Sequence, residues 1–122
     1  MMQRVAISSG LFMAALTTAF VVGTPRLARS QDADQIKKGE QVYVAQKCSV
    51  CHSIAGKGGK QSPLDGVGSK LSADEIRQWI VDPIAMAAKA SSTKKPPMPK
   101  KYDKLPPAEL DALVAYMQSL KK

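Results

Sequence analysis

The chain has few of the residues that build most metal and redox sites. Its 122 residues include a single histidine and only two cysteines, Cys48 and Cys51. A zinc site of four cysteine and histidine ligands is excluded, because the chain has only three such residues. A thioredoxin-like dithiol requires a βαβ context, and no strand pattern surrounds the two cysteines. A metal site with two imidazoles from this chain is excluded as well.

The two cysteines and the histidine stand together in the segment Cys48-Ser49-Val50-Cys51-His52. This spacing is typical of c-type haem attachment. Each thiol can add across one vinyl group of haem, and the histidine that follows can then bind the iron through a ring nitrogen. The motif predicts one haem c, covalently held by Cys48 and Cys51, with His52 as an iron ligand.

The first 30 residues have the pattern of an export signal. Arg4 precedes an uncharged, mostly apolar run over residues 5–22, and Ala28-Arg29-Ser30 is a small-x-small triplet that a signal peptidase can cut. We expect a signal peptide over 1–30, a domain over 31–122 and a periplasmic location. A run of this length can also span a bilayer if it is not cleaved, so an anchor in the inner membrane is the alternative.

Residues 31–122 suffice for one small domain, whose thin core a covalently held haem would enlarge. The chain has 18 Lys+Arg and 10 Asp+Glu, a net charge of +8. Arg4, Arg26 and Arg29 precede residue 31, which leaves 15 − 10 = +5 for the predicted domain. This balance favours acidic partner proteins. Nucleic acid is disfavoured, because no recognition motif is present.

Lysines are concentrated on either side of the haem motif and around Met98. They form either a docking surface or an ordinary solvated face. The seven lysines in question are Lys47, Lys57, Lys60, Lys94, Lys95, Lys100 and Lys101.

Apolar spacing predicts a first and a last helix. Asp32 and Asp34 are candidate N-caps of a helix that runs to about Lys47. A last helix has Pro107 in its first turn. Its apolar stripe consists of Leu110, Leu113, Val114, Met117 and Leu120, with Tyr116 beside it.

Between them, Ser72 and Glu75 match a capping box that opens a helix ending near Asp82. A short helical turn is expected over residues 84–90. The many glycines and prolines of residues 53–70 instead predict a loop without helix or strand.

A haem iron bound by one histidine has a sixth position to fill, and methionine sulfur is the obvious candidate. Met117 lies on the last-helix stripe, and Met86 lies in an alanine-rich helical turn. Met98 stands between Pro97 and Pro99, which keep the chain extended and stiff, so that its sulfur can be presented at little cost in entropy. We therefore predict Met98 as the second ligand.

Three further residues are candidates for contact with the haem. A carbonyl beside Pro63, in the pair Pro63-Leu64, can accept a hydrogen bond from Nδ1 of His52. Pro63 alternatively only forms a turn. Trp79 is expected to pack in the core, and its indole N–H can also reach a haem propionate.

These motifs resemble those of the class I monohaem cytochromes c of bacteria, over residues 34–122. The resemblance implies a small all-α fold of three to five helices around one haem, with His52 and Met98 as axial ligands and the carbonyl of Pro63 holding His52. It also implies that the first and last helices cross tightly. The residues that carry it are Gly39, Tyr43, the Cys48–His52 motif, Pro63-Leu64, Met98-Pro99 and Leu113-Val114-Ala115-Tyr116.

The function implied by this resemblance is electron transfer by a monomeric carrier that is not an enzyme. One electron would enter and leave through the exposed haem edge, to and from redox partner proteins. Two alternatives stay open. One is a haem subunit or membrane-tethered relay of a larger oxidoreductase complex. The other is a haem protein whose open sixth position binds a small ligand, although no distal histidine or arginine suited to that role is evident.

Overall fold

The computed structural model of the chain describes the backbone of residues 25–122 and the side chains of residues 32–122. The predicted signal segment over 1–30 lies largely outside this range, including its apolar run. Among the helices of the described residues, none combines the length and the apolar character needed to cross a membrane.

The described residues form five α-helices and one two-stranded hairpin, which confirms the predicted all-α class. Helix α1 is Pro25–Ala45, and a 3₁₀ turn follows at Cys48–Val50. Strands β1 (Ser53–Ile54) and β2 (Lys57–Gly58) form the hairpin. Four more helices complete the fold: α2 (Val67–Lys70), α3 (Ala73–Val81), α4 (Pro83–Lys89) and α5 (Pro107–Ser119), with a 3₁₀ turn at Tyr102–Lys104 before the last.

The most extensive contact between elements is the crossing of α1 and α5. Gly39 explains how close the two helices come. A Cβ at this position would lie 2.6 Å from Cβ of Tyr116 and well inside contact distance of the Ala112 carbonyl oxygen. The rings of Tyr43 and Tyr116 meet edge to face, with centroids 5.8 Å apart. The tight crossing implied by the resemblance is thus present.

The crossing continues into one buried apolar cluster, to which α3 contributes through its inner face. Met117 is 6 % exposed and belongs to this cluster, as its place on the last-helix stripe predicts. The cluster consists of Val42, Tyr43, Ile76, Ile80, Tyr102, Leu113, Val114 and Met117.

Two helix boundaries follow the predicted capping residues. The hydroxyl of Ser72 accepts from the Glu75 backbone N–H, and the Glu75 carboxylate accepts from the Ser72 backbone N–H, so the capping box is formed. Pro107 occupies the first turn of α5. The predicted helical turn after Asp82 is α4, which that aspartate caps.

Two predictions about local structure are wrong. Asp32 and Asp34 lie inside α1 and do not cap it, because α1 already begins at Pro25. Residues 53–70 contain the hairpin and α2 as well as loop. The hairpin forms because Ala55 and Gly56 both adopt positive φ, and a two-residue turn of this kind matches the twist of paired strands.

Candidate functional site

The candidate site begins where the chain leaves α1. Lys47 adopts a left-handed conformation, with φ 57°, and ends the helical direction of α1. The 3₁₀ turn then brings the carbonyl oxygen of Cys48 within 3.3 Å of the Cys51 N and 3.0 Å of the His52 N. Both cysteines are free and half-buried. One tight turn therefore holds two thiols and one imidazole.

The His52 ring is oriented by a backbone carbonyl. Its Nδ1 lies 2.8 Å from the carbonyl oxygen of Ser62. A carbonyl can only accept, so Nδ1 carries the proton and the lone pair of Nε2 is left for a metal. This arrangement is typical of a histidine that binds iron through Nε2.

The accepting carbonyl lies beside Pro63 but belongs to the residue before it, which corrects the implication of the resemblance that the carbonyl of Pro63 itself holds His52. The acceptor is Ser62, one residue earlier. The reason is the register of this loop against the haem motif, set when the Ser62 N–H donates to Cys51 and the Leu64 N–H donates to Ser53. These two bonds place the Ser62 carbonyl beside residue 52. Pro63 contributes the nitrogen of the same peptide group, which has no N–H.

Two glycines allow the loop to lie directly on the motif. The Gly59 N–H donates to the Ser49 carbonyl over 2.8 Å. A Cβ on Gly59 would stand 2.8 Å from the Val50 carbonyl carbon, and one on Gly58, which has φ 112°, would stand 3.0 Å from the Ser49 oxygen. Any side chain here would push the loop from the motif. The many glycines and prolines of residues 53–70 predict a loop, but no sequence pattern indicates that this loop lies directly on the motif.

The predicted methionine and leucine lie beside the buried cluster. Met98 and Leu64 are both half-buried and pack against it, as does Cys48. Met86 is half-buried in α4 and is not among the residues that contact the cluster. Of the three candidate methionines, Met117 is thus a core residue, and Met98 is the one that a loop brings against the core.

Trp79 has a different environment from the expected one. It is half-buried in α3 and, among the described residues, is not one of those that pack against the central cluster. Its neighbours Ile76 and Ile80 take the buried positions of that helix. Core packing of Trp79 is therefore not observed, and its contact with a haem propionate stays a prediction.

The Cytochrome c family model matches residues 36–121, which is more than half of the chain. The chain belongs to the cytochrome c family. No curated protein and no solved structure matches it significantly. Members of this family bind haem c covalently through cysteines and transfer electrons, and the cysteines required are Cys48 and Cys51.

The donors of this cytochrome c fit the haem that its family binds. Two free thiols stand on one turn beside an imidazole whose Nδ1 is hydrogen-bonded. Cys48 packs against the same buried apolar cluster as Leu64 and Met98, and Tyr102 belongs to that cluster. Burial raises the pKa of the Cys48 thiol, against the smaller opposing effects of its own backbone hydrogen bond and the charge of Lys101. The thiol thus lies in an apolar setting, as a side chain bonded to a vinyl edge requires.

The seven lysines around the motif and Met98 are all exposed. Three of them also make contacts within the chain. The Lys94 ammonium donates to the Gln61 carbonyl over 2.6 Å, Lys100 pairs with Asp82 at 3.5 Å, and Lys101 lies 5.2 Å from the centre of the Tyr102 ring.

Proposed function

We propose that this cytochrome c is a periplasmic electron carrier whose haem iron is bound by His52 and Met98. The observation that carries the proposal is the hydrogen bond from Nδ1 of His52 to the Ser62 carbonyl, since it leaves Nε2 ready for iron. When bound, haem supplies a one-electron couple between ferric and ferrous iron.

The residues of the chain have three tasks in this function. Cys48 and Cys51 fix the haem edge, and the Ser62 carbonyl orients His52 and increases its strength as a ligand. Met98 would give the iron a thioether ligand, and a thioether favours ferrous iron and so would raise the reduction potential. With two iron ligands supplied by the chain, electron transfer would require little rearrangement, and no ligand position would be left for a substrate.

Met98 is supported as the second ligand by its surroundings. It is half-buried, whereas every other residue of the segment 91–101 is exposed. Pro97 and Pro99 restrict the backbone on both sides, so that little conformational entropy is lost when the sulfur binds. Met117 is buried in the core and is therefore not available as a ligand.

The test of ligation is carbon monoxide binding by the reduced, haem-loaded protein. The intact carrier should bind carbon monoxide weakly, because Met98 occupies the position. Met98→Ala should bind it readily, and Met86→Ala, the matched control, should behave like the wild type. Strong binding by the wild type would contradict the proposal and favour a ligand-binding haem protein.

For partners, we propose proteins with acidic docking surfaces, which the exposed lysines around the motif and Met98 would attract. Lys57, Lys60 and Lys95 make no side-chain hydrogen bond or ion pair within the described residues. The triple variant with glutamine at these positions should weaken the salt dependence of electron transfer to an acidic redox protein. A matched triple variant at Lys37, Lys38 and Lys121 removes the same charge elsewhere. Equal effects of the two triples would refute a specific docking surface.

The periplasmic location rests on the predicted signal segment. Mass spectrometry of the haem-loaded protein, recovered from a periplasmic extract of a bacterial host, should give a chain that begins at Gln31. A membrane-bound protein that still carries residues 1–30 would contradict free diffusion and favour the tethered relay.

A further inference from the structure

The segment that carries Met98 has few buried side chains to hold it in place. In residues 91–101, here called the methionine loop, only Met98 is half-buried. A loop with so few buried side chains opens at low free-energy cost unless polar contacts hold it. The contacts at its two ends therefore decide how firmly it stays closed.

The C-terminal end of the methionine loop is attached to the helical part of the fold. Lys100 pairs with Asp82, which caps α4. Tyr102, directly after the loop, is 8 % exposed and belongs to the buried cluster. This end needs no further contact to stay in place.

At the N-terminal end, the N–H groups of Ser91 and Ser92 donate to carbonyls at the end of α4. Beyond this turn, Gln61 makes all the long-range side-chain hydrogen bonds of residues 93–97 within the described residues. The side-chain amide of Gln61 donates to the Lys95 carbonyl over 2.8 Å. In the opposite direction, the Lys94 ammonium donates to the Gln61 carbonyl over 2.6 Å. We call these two hydrogen bonds the Gln61 clasp. They join segments that are more than 30 residues apart in the chain.

The clasp is directly connected to the residue that orients His52. The Gln61 carbonyl accepts from Lys94, and the next carbonyl, that of Ser62, accepts from Nδ1 of His52. Two consecutive peptide groups thus hold the histidine on one side and the methionine loop on the other. A shift of residues 61 and 62 would therefore displace both candidate ligands, His52 and Met98.

We propose that Gln61 is a positioning residue that keeps the methionine loop closed and thereby keeps Met98 on the iron. This inference rests on the proposed ligation by Met98. Loss of the clasp would favour the open loop without removing any ligand. The apparent affinity of an external ligand rises in proportion to the open fraction when that fraction is small.

The probe is imidazole, titrated into the ferric, haem-loaded protein. Gln61→Ala should lower the apparent Kd of imidazole by about two- to tenfold, the range expected when a hydrogen bond of ordinary net strength is lost. Lys94→Met should act in the same direction, because it removes the second bond. In both variants, the far-red absorption band expected for methionine sulfur on ferric haem should disappear at a lower temperature than in the wild type.

Two control variants separate the clasp from simpler effects. Lys95→Met removes the same charge from the neighbouring position, but the clasp uses only the carbonyl of Lys95. Gln41→Ala removes an exposed glutamine of α1 that has no side-chain hydrogen bond within the described residues. Both should titrate like the wild type.

The outcomes distinguish the clasp from the ligation on which it depends. A wild type with the far-red band, together with Gln61→Ala titrating like Gln41→Ala, would overturn the clasp and leave the ligation intact. Equal effects of Lys94→Met and Lys95→Met would also overturn it, since charge alone would then explain the change. A wild type that lacks the band would overturn both proposals.

Discussion

The crossing of α1 and α5 allows a prediction whose sign depends on the structure. Alanine is favoured over glycine by about 1 kcal/mol inside a helix, so Gly39→Ala would stabilise an isolated α1. In the folded protein the added Cβ would lie 2.6 Å from Cβ of Tyr116, whereas ordinary contact begins at 3.4 Å. The Tyr116 contact alone would require the two helices to separate by about 0.8 Å, the difference between these distances, and the closer Ala112 oxygen would require more.

The cost of this separation outweighs the gain in helix propensity. The nearest atom to the new Cβ is the backbone oxygen of Ala112, which cannot rotate away as a side chain can. Overpacking of a well-filled core costs about 1–3 kcal/mol, and a backbone obstacle places this site at the upper end. We expect Gly39→Ala to lower the free energy of unfolding by about 2 kcal/mol once the propensity gain is subtracted.

The assay is chemical unfolding of the haem-loaded protein in urea, followed by circular dichroism and analysed by linear extrapolation. Glu40→Ala is the matched control, since Glu40 is the next residue of α1 and is exposed. It should change the free energy of unfolding by no more than about 0.5 kcal/mol. An increase in stability for Gly39→Ala would refute the close crossing, because helix propensity would then be the dominant effect.

Two further predictions concern a buried tyrosine and a helix cap. Burial is the largest of the causes that raise the pKa of Tyr43 from 10.0 to about 12. The stability that depends on a protonated Tyr43 hydroxyl is therefore fully present below pH 10, the pKa in the unfolded chain, and is lost as the pH rises through 12. In urea unfolding at pH 9–12, Tyr43→Phe should reduce this loss of stability. At pH 7 the same variant should cost about 1 kcal/mol, because it removes the 3.3 Å hydrogen bond to the His52 carbonyl. An unchanged dependence of stability on alkaline pH would contradict the raised pKa of Tyr43. Ser72→Ala should cost about 1 kcal/mol and lower the thermal midpoint by about 4–8 °C, and an unchanged midpoint would show that the capping box does not stabilise α3.

Features that depend on residues close together in the sequence were predicted correctly. The haem motif, the Ser72–Glu75 capping box and the start of α5 at Pro107 each follow from residue types at short, fixed spacings. The α5 stripe placed Met117 in the core by its helical period alone. The start of α1 was missed, because Asp32 and Asp34 resemble N-caps even though the helix continues ahead of them.

The parts of the site that were missed depend on how one loop lies on another. The sequence pointed to a carbonyl beside Pro63, and the resemblance implied the carbonyl of Pro63 itself. The carbonyl that faces the His52 ring is that of Ser62, because the register of the loop against the motif places it there. The close approach of Gly58 and Gly59 has the same origin. Gln61 has no local signature at all, since its partners are Lys94 and Lys95, far along the chain.

The absorption spectrum of the ferric, haem-loaded protein is the measurement that decides whether Met98 binds the haem iron together with His52. Methionine sulfur on ferric iron should give a weak far-red band. This band should be present in the wild type and in Met86→Ala and absent in Met98→Ala. A wild-type spectrum without the band, or a band that survives in Met98→Ala, would contradict ligation of the iron by Met98.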